Sequence, residues 1–187
     1  MSKAKAVAIA DTCFLIDWAR WRRRDAIFGV FRFVFVPESV LDEVVSETTI
    51  AWIANGLAAG SLALFTETAD VVEEARRLVE RSRRIPGMRG VDLPEAVCLC
   101  VGRRKGYVVL TENRGALMTV ELMEEYRGVT VWRALEVIGE ALRRGVISAG
   151  NPLAVFREYE EDTRHIFPRR DLERVVRELG GEAQEVG

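Results

Sequence analysis

The sequence predicts an α/β fold, a mostly parallel sheet with helices on both faces. Three observations predict it. Short β-branched or apolar runs alternate with stretches of helical apolar spacing from Ala6 to about residue 146. The first run, Ala6 to Ala10, passes straight into Asp11 and then into a helical pattern with Phe14, Leu15 and Trp18 on one face. The chain has 187 residues, 49% hydrophobic and 30% charged, enough for one domain with a real core and too few for two full ones. Alternation of this kind favours a parallel sheet, because each strand returns to the next through a helical crossover.

Taken in order, Ala6 to Ala10 is the first strand and Phe14 to Arg24 the first helix. Val30 to Val36, VFRFVFV, is β-branched and aromatic and reads as the second strand. Pro37 then opens a helix whose apolar face is Val40, Leu41, Val44 and Val45; it extends, or breaks and resumes, through Ile53, with Gly56 and Gly60 as stop signals. Leu62 to Phe65 is a short strand. Thr68 to Arg84 is an amphipathic helix with Val71, Val72, Ala75, Leu78 and Val79 inward. A Pro/Gly loop, 85–91, leads to Asp92, which with Glu95 three residues later makes a capping-box start, Pro94 being tolerated in a first turn. Ala96 to Val101 is apolar all round and must be deeply buried, and Gly106 ends that helix. Tyr107 to Leu110 is a strand, Gly115 to Tyr126 a helix, Val129 to Trp132 a strand and Ala134 to Arg144 a helix. After a loop, 145–152, two more helices follow, Leu153 to Thr163 and Arg170 to Leu179. The polar end, Gly180 to Gly187, should fray.

Composition excludes several classes. A net charge of −2 is not that of a strongly basic nucleic-acid module, although Arg20, Arg22, Arg23 and Arg24 cluster, as do Arg76, Arg77, Arg81, Arg83, Arg84 and Arg89. Such runs are solvated helix faces, or a phosphate-facing rim where an active site lies beside them. Cys13, Cys98 and Cys100 sit in apolar settings, form no CxxC, and read as small buried hydrophobes in a reducing compartment. His165, the one histidine, lies in an arginine-containing stretch and reads as a surface residue, not a general base. No phosphate-cradling GxGxxG or P-loop is present. No window reaches the roughly 18 apolar residues that span a bilayer, and the first apolar run is too short for a signal peptide. The expectation is a cytoplasmic protein with no membrane contact.

The acids carry the chemical reading. Asp11 and Glu112 each follow a strand, Glu95 lies in the first turn of one helix, and Glu43 lies in the body of another. Strand ends and the helix starts after them converge on one edge of a parallel sheet. Carboxylates gathered there repel one another unless a hard cation joins them, and oxygen-only ligands favour Mg²⁺ or Mn²⁺. Phosphodiester hydrolysis is the reaction such a centre serves best. The alternative is four unrelated caps and surface acids; Asp11 in particular is also a good helix N-cap.

Five blocks, VAIADTCFLIDW, VPESVLDEVV, DLPEAVCLC, YVVLTENRGAL and VTVWRALEVIGEALRRGVI, in this order and at this spacing over residues 6 to 148, resemble the PIN domain family. The resemblance implies a three-layer α/β/α domain over residues 1–148 and divalent-metal-dependent endoribonuclease activity. It also implies a C-terminal helical extension, 149–187, packed on that domain or on a dimer mate. Asp11 matches the family's first aspartate, Glu43 the glutamate after the second strand, and Glu95 the acid of the third block. The family often has TxD or TDD where this chain has Thr111-Glu112-Asn113, so Glu112 would replace the fourth acid or Asn113 would bind metal or water through its amide. Asp11, Glu95 and Glu112 would hold the ion; Glu43 would hold a second ion or orient the attacking water. Thr12, Asp92, Thr111 and Asn113 would support those groups or orient substrate. Single-stranded RNA is the expected substrate. A small antitoxin, as for VapC-type toxins, and a second copy of the chain are the expected partners. A catalytically degenerate module that binds RNA or a protein is the alternative reading.

Overall fold

The computed structural model describes residues 5–182. In chain order these form β1 (Val7–Ala10), α1 (Thr12–Arg20), a 3₁₀ turn (Arg24–Ala26), α2 (Ile27–Val30), β2 (Phe33–Pro37), α3 (Glu38–Glu43), α4 (Glu47–Ala58), β3 (Leu62–Phe65), α5 (Ala69–Arg84) and α6 (Leu93–Lys105). There follow β4 (Val108–Leu110), α7 (Arg114–Leu122), a 3₁₀ turn (Glu124–Tyr126), β5 (Val131–Trp132), α8 (Ala134–Arg143), α9 (Pro152–Thr163) and α10 (Arg169–Glu182). The five strands make one sheet in the order β3-β2-β1-β4-β5, every pair parallel. The α/β expectation holds.

The strand period of two divides the core. Ala8, Ala10, Val34, Val36, Val108 and Leu110 face one apolar layer, built with Trp18, Trp21, Leu135, Ile138 and Phe156. Ile9 and Val109 face the other, built with Val71, Leu78 and the Ala96–Val101 run. The sheet is therefore sandwiched between α1, α2, α8, α9 and α10 on one side and α5, α6 and α7 on the other. Because both faces are covered, its strands read as apolar runs and not as alternating ones. Helix α6 is buried around its whole circumference from Ala96 to Gly102, and a Cβ at Gly102 would come 2.5 Å from Val109 Cγ2. Only glycine lets this helix press so closely on β4.

Two local expectations are corrected. Val30 belongs to α2, not to the strand, which begins at Phe33; the turn is held by the Phe31 N–H donating to the Ile27 carbonyl at 2.9 Å. The helix after Pro37 follows the second of its two expected courses, breaking at Val44 and resuming where Ser46 accepts the Thr49 N–H to start α4; what is corrected is the inward place of Val45. With the helix ended at Glu43, the 3.6-residue period no longer governs Val45, which stands 86% exposed instead of packing inward.

The C-terminal helices pack on this chain. Phe156, Tyr159, Phe167, Leu172 and Val175 are buried in the same layer as Trp18 and Trp21. Tyr159 meets the Trp21 ring edge-on at 5.4 Å. Asp162 and Glu158 of α9 pair with Arg22 at 2.6 Å and Arg23 at 2.9 Å, and the Trp21 indole donates to Glu158 at 3.0 Å. Helix α10 runs to Glu182, past the point where fraying was expected; the remainder of that segment, 183–187, lies outside the described residues. Among the described residues no helix is long and apolar enough to cross a membrane.

Candidate active site

The sheet grows outward in one direction through β2 and β3 and in the other through β4 and β5. The point where it reverses lies between β1 and β4, and open α/β sheets place ligands in the crevice beyond the carboxyl ends of those strands. Asp11 follows β1 and Thr111 follows β4. The strands meet there through the Asp11 N–H, which donates to the Leu110 carbonyl at 3.0 Å.

Asp11 is both the cap and a member of the acid group. Its Oδ1 accepts the Phe14 N–H at 2.9 Å, capping α1. Its Oδ2 accepts the Thr111 hydroxyl, and the Cys13 thiol lies 3.2 Å from both oxygens. The carboxyl is fully buried, and loss of hydration pushes its pKa from 3.8 up to about 7 against the pull of those donors. Glu95 is half-buried at the third position of α6. Its Oε2 accepts the Asp92 N–H at 2.7 Å, completing the capping box read from sequence, and its Oε1 accepts the Asn113 side-chain amide. Burial raises the Glu95 pKa, and the Asp92 and Glu43 charges push the same way. Glu43 ends α3, and its Oε2 accepts the Thr12 hydroxyl at 2.9 Å. One ligand atom each from Asp11, Cys13 and Glu95 lie within 4.8 Å of one another.

Glu112 goes elsewhere. Its Oε1 accepts the Ala134 N–H at 2.6 Å, at the amino end of α8, and its Oε2 lies 3.4 Å from His165 Nε2. Burial raises its pKa to about 7. The other imidazole nitrogen lies 3.6 Å from Asp17. His165, expected at the surface, is thus a half-buried bridge between two carboxylates, stacked edge-on against Phe167 at 5.2 Å. Nothing in DTRHIFPRR signals this, because both partners come from distant elements. Asp92 is exposed and lies 3.9 Å from Arg83, so its carboxylate stands outside the acid group. Thr111 and Asn113 do bind the acids, and the Asn113 carbonyl oxygen caps α7 by accepting the Gly115 N–H at 2.6 Å.

Cys98 and Cys100 are buried as expected. Cys13 differs: it is half-buried against Asp11, and burial beside that carboxylate drives its thiol pKa well up, so the sulfur stays protonated and donates. The sequence hint was its place two residues beyond the strand-end acid.

The acids of this group are of the kind that hold a divalent cation, with the Cys13 sulfur as the third atom of the cluster. Asp11 and Glu95 supply carboxylate oxygens, Glu43 lies beside them through Thr12, and both Asp11 and Glu95 have raised pKa values that a bound cation would reverse. No family model matches the chain, and no curated protein matches it. The fold and site define an α/β protein with a group of acids at its topological switch point.

Proposed function

We propose that the chain is a divalent-metal-dependent endoribonuclease of the PIN type. The observation that carries the reading is the meeting of Asp11 and Glu95, from separate elements, at the β1/β4 switch point with Glu43 alongside. Asp11 and Glu95 would hold Mg²⁺ or Mn²⁺, with Glu43 reaching it through water. A divalent cation bound there supplies a water of lowered pKa and neutralises phosphate charge. The chain's own groups do the positioning. The Phe14 amide and Thr111 hydroxyl fix Asp11, the Asn113 amide fixes Glu95, and the Thr12 hydroxyl fixes Glu43. A single strand suits this site because its unpaired backbone can bend toward the acids. The family resemblance adds two partner proposals, a small antitoxin and a second copy of the chain.

One observation favours the alternative of a non-catalytic module that binds RNA or protein: Glu112 is committed to Ala134 and His165 and is not among the Asp11–Cys13–Glu95 group. Cleavage of labelled single-stranded RNA in Mn²⁺ or Mg²⁺ against EDTA, wild type beside Asp11→Asn, separates the two. Metal-dependent cuts lost in the variant support the nuclease. Metal-dependent cuts that persist in the variant refute the site, and RNA binding without cuts by the wild type selects the module.

A further inference from the structure

A group of acids repels a polyanion, so an RNA strand needs cations at its margin as well as an ion at its centre. Most arginines of the two sequence clusters are already committed. Arg22 and Arg23 pair with Asp162 and Glu158, Arg24 donates to the Ala19 carbonyl, and Arg20 lies 3.7 Å from Asp17. In the second cluster Arg77, Arg81, Arg83 and Arg84 pair with Glu73, Glu125, Asp92 and Glu80.

Arg89 is different. It is exposed and has no hydrogen-bond or ion-pair partner among the described residues; the same holds for Arg114, the first residue of α7, and for Arg76 on α5, but only Arg89 and Arg114 are tied to the acid group. Their backbones are pressed together beside the acids. A Cβ on Gly115 would come 2.5 Å from the Gly90 carbonyl oxygen and 2.9 Å from that of Arg89, so only glycine permits the contact. Asn113, adjacent to Arg114, donates to Glu95. Two unpaired guanidinium groups are therefore rooted on the loop and helix start that border Glu95, and the amino end of α7 adds the favourable pole of its dipole.

We propose that Arg89 and Arg114 form the phosphate-contacting rim of the acid site, so that the substrate strand enters over the 85–91 loop and the start of α7 and not over the arginines at and beyond the end of α1. This rests on the ribonuclease reading. The test titrates the full chain against fluorescein-labelled single-stranded RNA of mixed sequence, in EDTA, over a series of salt concentrations. Arg89→Ala/Arg114→Ala is compared with Lys105→Ala/Arg127→Ala, whose exposed cations precede β4 and β5 and so lie at the opposite edge of the sheet.

The rim variant should bind about tenfold or more weakly. Its plot of log affinity against log salt should flatten by about 1.4, at about 0.7 per lost phosphate contact on a single strand. The control pair should match the wild type, and Arg89→Lys/Arg114→Lys should keep the salt slope because charge is retained. In Mn²⁺ the alanine rim variant should raise KM more than it lowers kcat, as loss of uniform binding does. A rim variant with wild-type affinity and slope overturns the proposal and leaves the nuclease reading standing if the wild type cleaves. Equal losses in the control pair also overturn it, by showing diffuse attraction in place of a rim. A wild type that neither binds nor cleaves RNA removes both.

Discussion

Asp11 offers the sharpest test, because its carboxyl is buried enough to make the metal-free protein pay for ionising it. In the unfolded chain the group ionises near 3.8, and in the fold near 7. Between those values the folded state holds a proton that the unfolded state has released, so stability falls as pH rises through the window and levels off above it. At about 1.4 kcal/mol per pH unit, the gap from 3.8 to about 7 amounts to about 4 kcal/mol. Asp11→Asn mimics the protonated form. Its carbonyl can accept the Phe14 N–H, and the Thr111 hydroxyl can turn to accept from the new amide. The two proteins should therefore be equally stable near pH 4. They should diverge up to pH 7 and run parallel above, the variant melting roughly 10 °C higher at about 2–4 °C per kcal/mol. Acids with depressed pKa values, such as Asp70 and Asp162, drive stability the other way, but both proteins share them and they cancel in the difference. Mn²⁺ at about a hundred times its Kd should return about 2.7 kcal/mol to the wild type and much less to the variant. Thermal unfolding from pH 4 to 8, with EDTA or Mn²⁺, reads all of this. A difference between the two proteins that stays flat with pH refutes the reasoning.

Two further outcomes are expected. His165 has its pKa raised, chiefly by Asp17 and also by Glu112, so the stability it contributes is fully present below the ordinary histidine value and is lost as pH rises through the folded one. As the one histidine it gives a single imidazole NMR titration, which should move down in Asp17→Asn; an unmoved midpoint would show that the bridge is absent in solution. Phe156→Ala should cost about 3–5 kcal/mol in a single urea transition, since the ring lies fully buried in the layer shared with Trp18. A separate early transition confined to the C-terminal helices would contradict that packing.

How much of this was legible in the sequence depended on whether a signal was local. The strands were, because both faces of the sheet are covered and each strand lies within or beside an apolar run, although the start of β2 was placed three residues early and β5 was read at twice its length. Asp11 and Glu95 were legible because strand-end and helix-start positions fix where a side chain begins. Glu112 was not. A carboxylate after β4 can turn toward β1 or toward the next helix start, and the outcome was set by the Ala134 N–H and His165, which no spacing near residue 112 records. Val45 failed for a related reason, since a helical period has no meaning beyond a break, and the sequence did not say where the break falls. The Arg22 and Arg23 cluster read as charge, but only the fold showed that α9 had already claimed it.

The pairing of β1 with β4 has a consequence for the order in which the protein is made. Asp11 leaves the ribosome early, yet the hydroxyl that holds it belongs to Thr111, and Glu95 receives its amide from Asn113. The acid site therefore cannot assemble while the first half of the chain is being synthesised. The layer around Trp18 and Trp21 stays open longer still, until Phe156, Tyr159 and Phe167 emerge. A nascent chain arrested before α9 would carry two uncovered indoles and a sheet without its full apolar cover, a state prone to aggregation and a natural client for chaperones.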